Sequence, residues 1–528
     1  MKVAVIGSGV SGLASTWVLN QHSDHEVHLY EADSRPGGHA NTVHFKPPGK
    51  PSSAEGVDVD TGFIVFNPST YPNFLRFLKR FPSIKILPTE MTFSVSRDNG
   101  LFEWAGNNLF TIFCQPTRLL DPDMWRLIYD VLRFNACARR LVMGTRVVGS
   151  PERSIGEYLS RENYSRSFRD NYLIVRVLIY ALPMTAAIWS TPVDKCFDDF
   201  PAETLIRFMN NHHLLQVTGK PSWLTLQGGS RVYVDSILSQ LPKGNLHLST
   251  PVTAVSTKPD GSRQVELTTA DGQTSIYDHV IMACHSDTTL SILKAGEGLT
   301  ADEQDVLGSF SWNQNSAVLH SDVKLLPRRR IAWACWNYLS TSGVDAQGKH
   351  KANADTVALW AYWRADSMNI LQHIPEKKYG HVLVTLNPPE QPDEKTVVGR
   401  YRYEHPVLDA QAIRAQERMH LIQGKRGISF AGAWLRYGFH EDGFTSGMRA
   451  VADHIPDIKL PFEIEDPDRD PAPLWIAPAF DAFESSGLRA LVGVVLSFVL
   501  AILRTVLSYV GFDFSHIEAH VDAKTKMD

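Results

Sequence analysis

Gly7-Ser8-Gly9-Val10-Ser11-Gly12 has the spacing of a turn that receives a pyrophosphate, and Glu31 stands nineteen residues beyond its last glycine. In such a turn Gly7 permits the tight bend, Gly9 lets the backbone approach phosphate oxygens, and Gly12 lets helix and strand pack closely. The N–H groups of Val10, Ser11 and Gly12 open a helix, lack intrahelical partners and face the anion. A carboxylate at the end of the next strand, here Glu31, accepts from a ribose hydroxyl. Together these residues can bind a dinucleotide. A second group lies late in the chain, where Trp434, Tyr437, His440 and Glu441 fall beside Gly432 and Gly443. The ordinary histidine pKa suits proton exchange near neutrality, so His440 is a candidate acid or base, with a plain hydrogen-bonding role as the alternative.

The elements that position the turn read directly. Lys2–Ile6 is a short apolar strand, Leu13–Leu19 continues as an apolar helix, and Glu26–Tyr30 is the second strand. Helical spacing then dominates to about Leu226, as in Met124–Leu132 with its i, i+3, i+4, i+7 pattern, and Tyr172–Tyr180 reads as a buried element. A helix is expected over Arg231–Leu241. Strand patterns follow at His247–Leu248, Val252–Val255, Gln264–Leu267 and Val280–Ala283. A second strand-rich block holds Ala317–His320, Ala332–Trp336, Val357–Trp360 and Val382–Thr385, and Ile428–Ala431 is the last strand before the late glycines. The chain thus enters the nucleotide-binding domain three times, over residues 1–62, 227–309 and 401–455. Residues 63–226 and 310–400 form an inserted domain, 456–485 a proline-rich acidic linker and 486–528 an apolar tail.

Composition bounds the rest. Hydrophobic residues at 43% and charged residues at 21% of 528 are ordinary for a globular protein. A net charge of −5 without a basic stripe gives no case for nucleic acid. Five scattered cysteines without a CxxC pair argue against a disulfide framework or a zinc site, and no metal is expected. The first strand begins at residue 2, so no signal peptide is expected. Residues 490–512 carry Arg504 as their only charge and are long enough to span a bilayer or lie in its interface. Membrane lipid is therefore an expected partner, with the catalytic body in the cytoplasm.

With Gly7-x-Gly9-x-x-Gly12, Glu31, Arg35-Pro36-Gly37-Gly38-His39 and Thr42, the chain resembles the flavin-containing amine oxidase superfamily. Within it the chain is similar to a predicted NAD/FAD-binding group carrying segments such as Gly37–Val43, Asp58–Asn67 and Gly432-Ala433-Trp434 with Tyr437–Gly443. Phytoene desaturases and protoporphyrinogen oxidases are more distant relatives. The resemblance implies an α/β fold: a Rossmann-like (GR2-type) FAD-binding domain, an inserted α+β substrate domain and a C-terminal apolar helix. It implies non-covalent FAD, since no cysteine lies between Phe430 and Gly447. By that resemblance the glycine turn, Glu31, Arg35, Gly37, Gly38, His39, Thr42 and Val252 hold the cofactor. Gly432, Asp442, Gly443 and Phe444 match the segment facing the flavin pyrimidine.

Two departures bear on the reaction. His39 stands where many relatives have arginine, and no lysine occupies 317–320, where amine oxidases of this plan keep one; Lys324 is nearest. His440 also replaces one wall of their aromatic amine cage. The catalytic candidates are His440 and Tyr437, and the substrate candidates are Trp434, Asn67, Tyr71, Trp189 and Asn337. Arg328-Arg329-Arg330 can meet an anionic group or form a solvated turn. The expected activity is FAD-dependent hydride abstraction from a small lipophilic molecule, a fatty acyl chain or isoprenoid. An amine oxidase acting on a secondary or hindered amine, and a non-catalytic FAD-binding escort, remain as alternatives.

Overall fold

The computed structural model describes the chain apart from residues 52, 54, 144–152, 174–200, 217–220, 259, 297, 343–358, 389, 468, 470, 473 and 515–528. Five parallel strands form the first sheet, in the order Ile428–Phe430, His279–Met282, Lys2–Ile6, Glu26–Tyr30, Leu246–His247. Alternation sends Val3 and Val5 to one face of this sheet, and Ala4 and Ile6 to the other. On the first face lie helices Val10–His22 and His440–Ala452. The opposite face carries an antiparallel meander, Val252–Thr257, Val265–Thr269 and Thr274–Tyr277, with further short helices. Because both faces are covered, the helix Val10–His22 is buried nearly all round from Ser11 to Leu19.

The chain leaves the central strand Lys2–Ile6 toward Glu26–Tyr30 and later returns to its other side at His279–Met282. That reversal opens a crevice at the carboxyl ends of the strands, where Gly7 and Ala283 meet.

The inserted domain is built on a seven-stranded mixed sheet, ordered Val397–Val407, Ser311–His320, Leu383–Leu386, Leu359–Ser367, Trp336–Ser342, Phe93–Arg97, Phe102–Ala105. Helices Pro122–Cys137, Ile155–Arg161 and Ala202–Asn211 share its core. Two domain limits and one strand start shift from the sequence reading. Phe74, Phe77 and Leu78 of the helix Pro72–Leu78 pack into the nucleotide-domain core, so that body runs past residue 62. The strand Val397–Val407 pairs with Ser311–His320, which carries the inserted domain beyond 400. The strand expected at Ala332–Trp336 begins at Trp336, after a helical turn over Arg330–Ala332.

The expected linker is tied down. Ile458, Leu460, Phe462 and Ile464 pack on the nucleotide-domain core, with Phe462 6.1 Å from the ring of Trp17. Glu465 N–H donates to Asn73 Oδ1 at 2.9 Å, Asp466 pairs with Arg436 at 2.5 Å, and Arg469 donates to Asn210 O at 3.2 Å. The segment is a strap joining both domains, ending in helix Ala477–Ser485 against Pro122–Cys137. Beyond it Leu488–Tyr509, with mean hydropathy 2.5, is long and apolar enough to cross a membrane.

Candidate active site

Two helix starts converge on the crevice. A Cβ built on Gly443 would stand 2.5 Å from Val10 Cγ1, and one on Gly447 would stand 2.1 Å from Ser11 O. Ser15 Oγ donates to Gly447 O at 3.0 Å and locks the crossing. The late glycines therefore allow the helix His440–Ala452 to lie on the helix Val10–His22. Their N-termini bring two sets of partly positive backbone groups to one cleft.

The first glycine turn divides its tasks as its spacing predicts. Gly7 has φ +100°, and a Cβ on Gly12 would be 1.8 Å from Gly7 O, so both positions exclude side chains. A Cβ on Gly9 meets nothing within 4 Å. That open face is the cradle a pyrophosphate requires, and Gly38, with φ +55°, lies 3.2 Å across from Gly9 Cα, measured from its own built Cβ. Glu31 is held by Ser8, whose N–H donates to Oε2 at 2.9 Å and whose hydroxyl donates to the same oxygen. Gly37 N–H donates back to Ser8 O at 3.1 Å, fastening the second loop to the turn. A carboxylate keeps acceptor sites beyond these bonds, so Glu31 can still receive a hydroxyl. Val252 opens the strand just after Thr250, whose N–H donates to Glu31 O at 2.9 Å.

Not every expected cofactor contact reaches the cleft. Arg35 donates to Gly38 O, Pro36 O and Ala40 O at 2.8, 3.1 and 3.3 Å, shaping the Gly37-Gly38 loop. Thr42 Oγ1 donates to Asp60 at 2.6 Å and accepts from Arg231 N–H, inside the protein. Asp442 accepts from Phe439 N–H at 2.8 Å and caps its own helix. Phe444 is core, 4.9 Å from the ring of Phe77 and 6.0 Å from Trp17.

The cleft encloses about 1420 Å³, open solvent included, and runs from Gly9, Val10 and Ser11 past His39, Phe63, Tyr71 and His440 to Met91, Trp223, Trp336 and Leu386. His39 lines it with Nε2 buried and without a hydrogen-bond partner among the described residues. Burial, with His285 and Arg35 nearby, pushes the His39 pKa down to about 4, so a neutral ring waits for a ligand atom. His440 stacks on Phe63 at 3.7 Å and shares a 2.7 Å hydrogen bond with Tyr233 Oη. Burial holds its pKa well below the ordinary value and raises that of Tyr233, so both are neutral.

Of the other expected site residues, Tyr71 and Trp434 line the cleft, and Trp434 donates to Cys284 O at 3.3 Å. Tyr437 stands behind the lining, its ring 5.7 Å from Phe208 and 5.9 Å from His212. Asn67 accepts from Ser69 and Thr70 N–H groups and donates to Thr70 Oγ1, which makes it a turn residue away from the cleft. Asn337 is spent within the inserted sheet on Ser94, Ala334 and Ala365. Trp189 lies outside the described residues. Glu441 grips the start of the helix Pro72–Leu78, accepting from Asn73 and Phe74 N–H at 2.9 Å each. Arg329 and Arg330 pair with Glu103 and Glu376, and Lys324 pairs with Glu390 at the surface.

The sequence reading missed a pair in the lining of the cleft. His285 follows the strand His279–Met282 and lies flat on Trp312 at 3.7 Å. Its Nδ1 is 3.2 Å from Glu404 Oε2, while Glu404 Oε1 accepts from Gln314 at 3.0 Å. The hydrogen bond from His285 holds the Glu404 carboxyl below its usual range. His285 lines the cleft, and a carboxylate that fixes Nδ1 leaves Nε2 as the ring nitrogen available for proton exchange. His285 sits at the carboxyl end of a parallel strand, which was the available signal; Glu404 needed the strand register against Gln314.

A doubly glycine-lined crevice at a topological switch, with open phosphate space and a buried imidazole Nε2 that has no partner among the described residues, fits FAD and defines a flavin-binding oxidoreductase. Residues 10–320 match the family described as flavin containing amine oxidoreductase, and the chain belongs to that family. Solved structures share the fold. A CLA-producing fatty acid isomerase from P. acnes is 14% identical with TM-score 0.57, over 86% of this chain and 98% of its own. Cyclohexylamine oxidase from Brevibacterium oxydans is 12% identical with TM-score 0.55, over 86% and 98%. Reduced UDP-galactopyranose mutase is 16% identical with TM-score 0.53, over 86% and 93%. No curated protein sequence matches the chain. The protein is an FAD-dependent oxidoreductase.

Proposed function

We propose that the protein oxidises an uncharged lipophilic molecule, an acyl or isoprenoid chain, while attached to a membrane by its C-terminal helix. The observation that carries this reading is the lining of the far cleft: Val65, Met91, Trp223, Trp336, Leu386 and Pro406 are apolar, and no lysine or arginine lines the cleft among the described residues. Its one carboxylate, Glu404, is already engaged by His285. A free carboxylate would enter without a cationic partner, at a cost of several kcal/mol, and an ammonium would find only Glu404, whose oxygens already accept from His285 and Gln314. A fatty acid isomerase and an amine oxidase share the fold, so the lining, rather than the fold, favours the lipid.

FAD held by the glycine turn, Glu31 and the late glycines would supply the hydride acceptor. Around it the protein's residues do the rest. The apolar wall orients the chain and excludes water, and Trp312 fixes the plane of His285. His285 Nε2 holds the proton that the substrate releases as its second hydrogen, with Glu404 keeping the ring in register. His440 stays neutral and shapes the wall beside Phe63.

The test is anaerobic mixing of yellow holoprotein with an acyl ester, an isoprenoid alcohol and a secondary amine in turn. Loss of flavin absorbance with either of the first two is expected. Bleaching by the amine alone overturns the lipid reading, and a purified protein that takes up no FAD favours an escort role instead.

A further inference from the structure

We propose that the inserted domain carries a second membrane-contact surface, made by Leu109, Phe110, Leu119, Trp125 and Leu132, which rests on the bilayer beside the C-terminal helix. The inference deepens the membrane reading and depends on it. Phe110 and Leu109 are 82% and 70% exposed on the short helix Leu109–Ile112, an unusual price in water for two adjacent large apolar side chains. Contacts link them to the tail step by step. Phe113, just after that helix, meets the ring of Trp125 at 5.4 Å. Trp125 Nε1 donates to Leu119 O at 2.8 Å, and the turn Pro116–Leu120 touches the helix Leu488–Tyr509.

The same face of helix Pro122–Cys137 orients the anchor. Trp125, Tyr129 and Leu132 fall at i, i+4 and i+7, one stripe of a helix. Tyr129 takes Phe480 and Phe483 against its ring at 5.7 and 5.8 Å and donates to Glu484 Oε1 at 2.8 Å. Glu484 also accepts from Arg489 Nε at 2.8 Å, at the start of the apolar helix. The tail is therefore seated on the stripe whose neighbours Trp125 and Leu132 are exposed.

A bilayer is the occupant because the surface adjoins a helix of spanning length, and because an indole that is half apolar and half hydrogen-bonded suits the interface. Charge is not what draws it down. Arg118, Arg126 and Arg140 beside the stripe are each paired, with Asp121, Asp130 and Asp481. Contact with zwitterionic lipid should consequently survive high salt.

The experiment uses the full chain with a nitrobenzoxadiazole label at Phe110→Cys, or at Lys294→Cys on the nucleotide-binding domain as control, bound to phosphatidylcholine vesicles. The wild-type label background is subtracted, and flavin content confirms folding. Brominated acyl chains should cut the emission at 110 by half or more and leave 294 unchanged, in low and high salt alike. Protein that floats with the vesicles while both labels remain equally open to iodide overturns the second surface alone. Protein that does not float overturns the anchor reading as well.

Discussion

Gly9 and Gly12 are three positions apart and should fail in opposite ways when a side chain is added. At Gly9 the added carbon enters open space, so Gly9→Val should fold with nearly unchanged stability and purify without flavin. The ratio of visible to ultraviolet absorbance measures this directly, and a yellow variant would refute the cradle. At Gly12 the carbon would be 1.8 Å from Gly7 O, so Gly12→Ala should cost about 3 kcal/mol or more before the cofactor is considered. Glu441 makes a pH prediction. Burial raises its pKa to about 7 from 4.5, so its contribution to stability is complete below the unfolded value and is lost as pH rises through about 7. The shift corresponds to something on the order of 3 kcal/mol. Urea unfolding of Glu441→Gln should therefore show a flatter pH dependence than wild type between about pH 5 and about pH 8. For His285→Ala, flavin reduction should slow by roughly 10²–10⁴-fold at unchanged flavin content, and rates within a factor of two would remove its proton-holding role.

Local pattern decided how much could be read at the scale of elements. The strands Lys2–Ile6 and Glu26–Tyr30 were legible because their register follows from short apolar runs flanking a glycine turn. The late glycines were legible as a group, but not that the helix His440–Ala452 runs through Gly443 and Gly447, nor that Gly447 meets Ser11 O. Gly447→Val is expected to lower the melting temperature and reduce flavin content together, since the crossing of two helices depends on that contact. Phe74 and Phe77 carry no mark of which core they join, which is why the domain boundary at residue 62 was too early. Asn67 and Asn337 are polar residues in suggestive places, yet their hydrogen bonds are used up locally. Glu404 was invisible because antiparallel pairing with Gln314, ninety residues away, places it.

At the scale of the whole molecule, the tail and the body are separable by charge and burial. Deleting residues 486–528 should move the protein from the membrane fraction to the soluble one without loss of colour, because the glycine-lined cleft lies in the body. The strap before that tail has its own consequence. Asp466 holds Arg436, and Arg469 donates to Asn210 O on the inserted domain. A cut at an engineered protease site at Pro467 would leave the two domains joined, because the chain crosses between them several times before that point. It would sever only the end that carries helix Ala477–Ser485 and the tail. Such nicked protein should keep its colour and still bleach with substrate, while the severed end, held on Pro122–Cys137 by non-covalent contacts such as Tyr129 with Glu484, should come away on dilution.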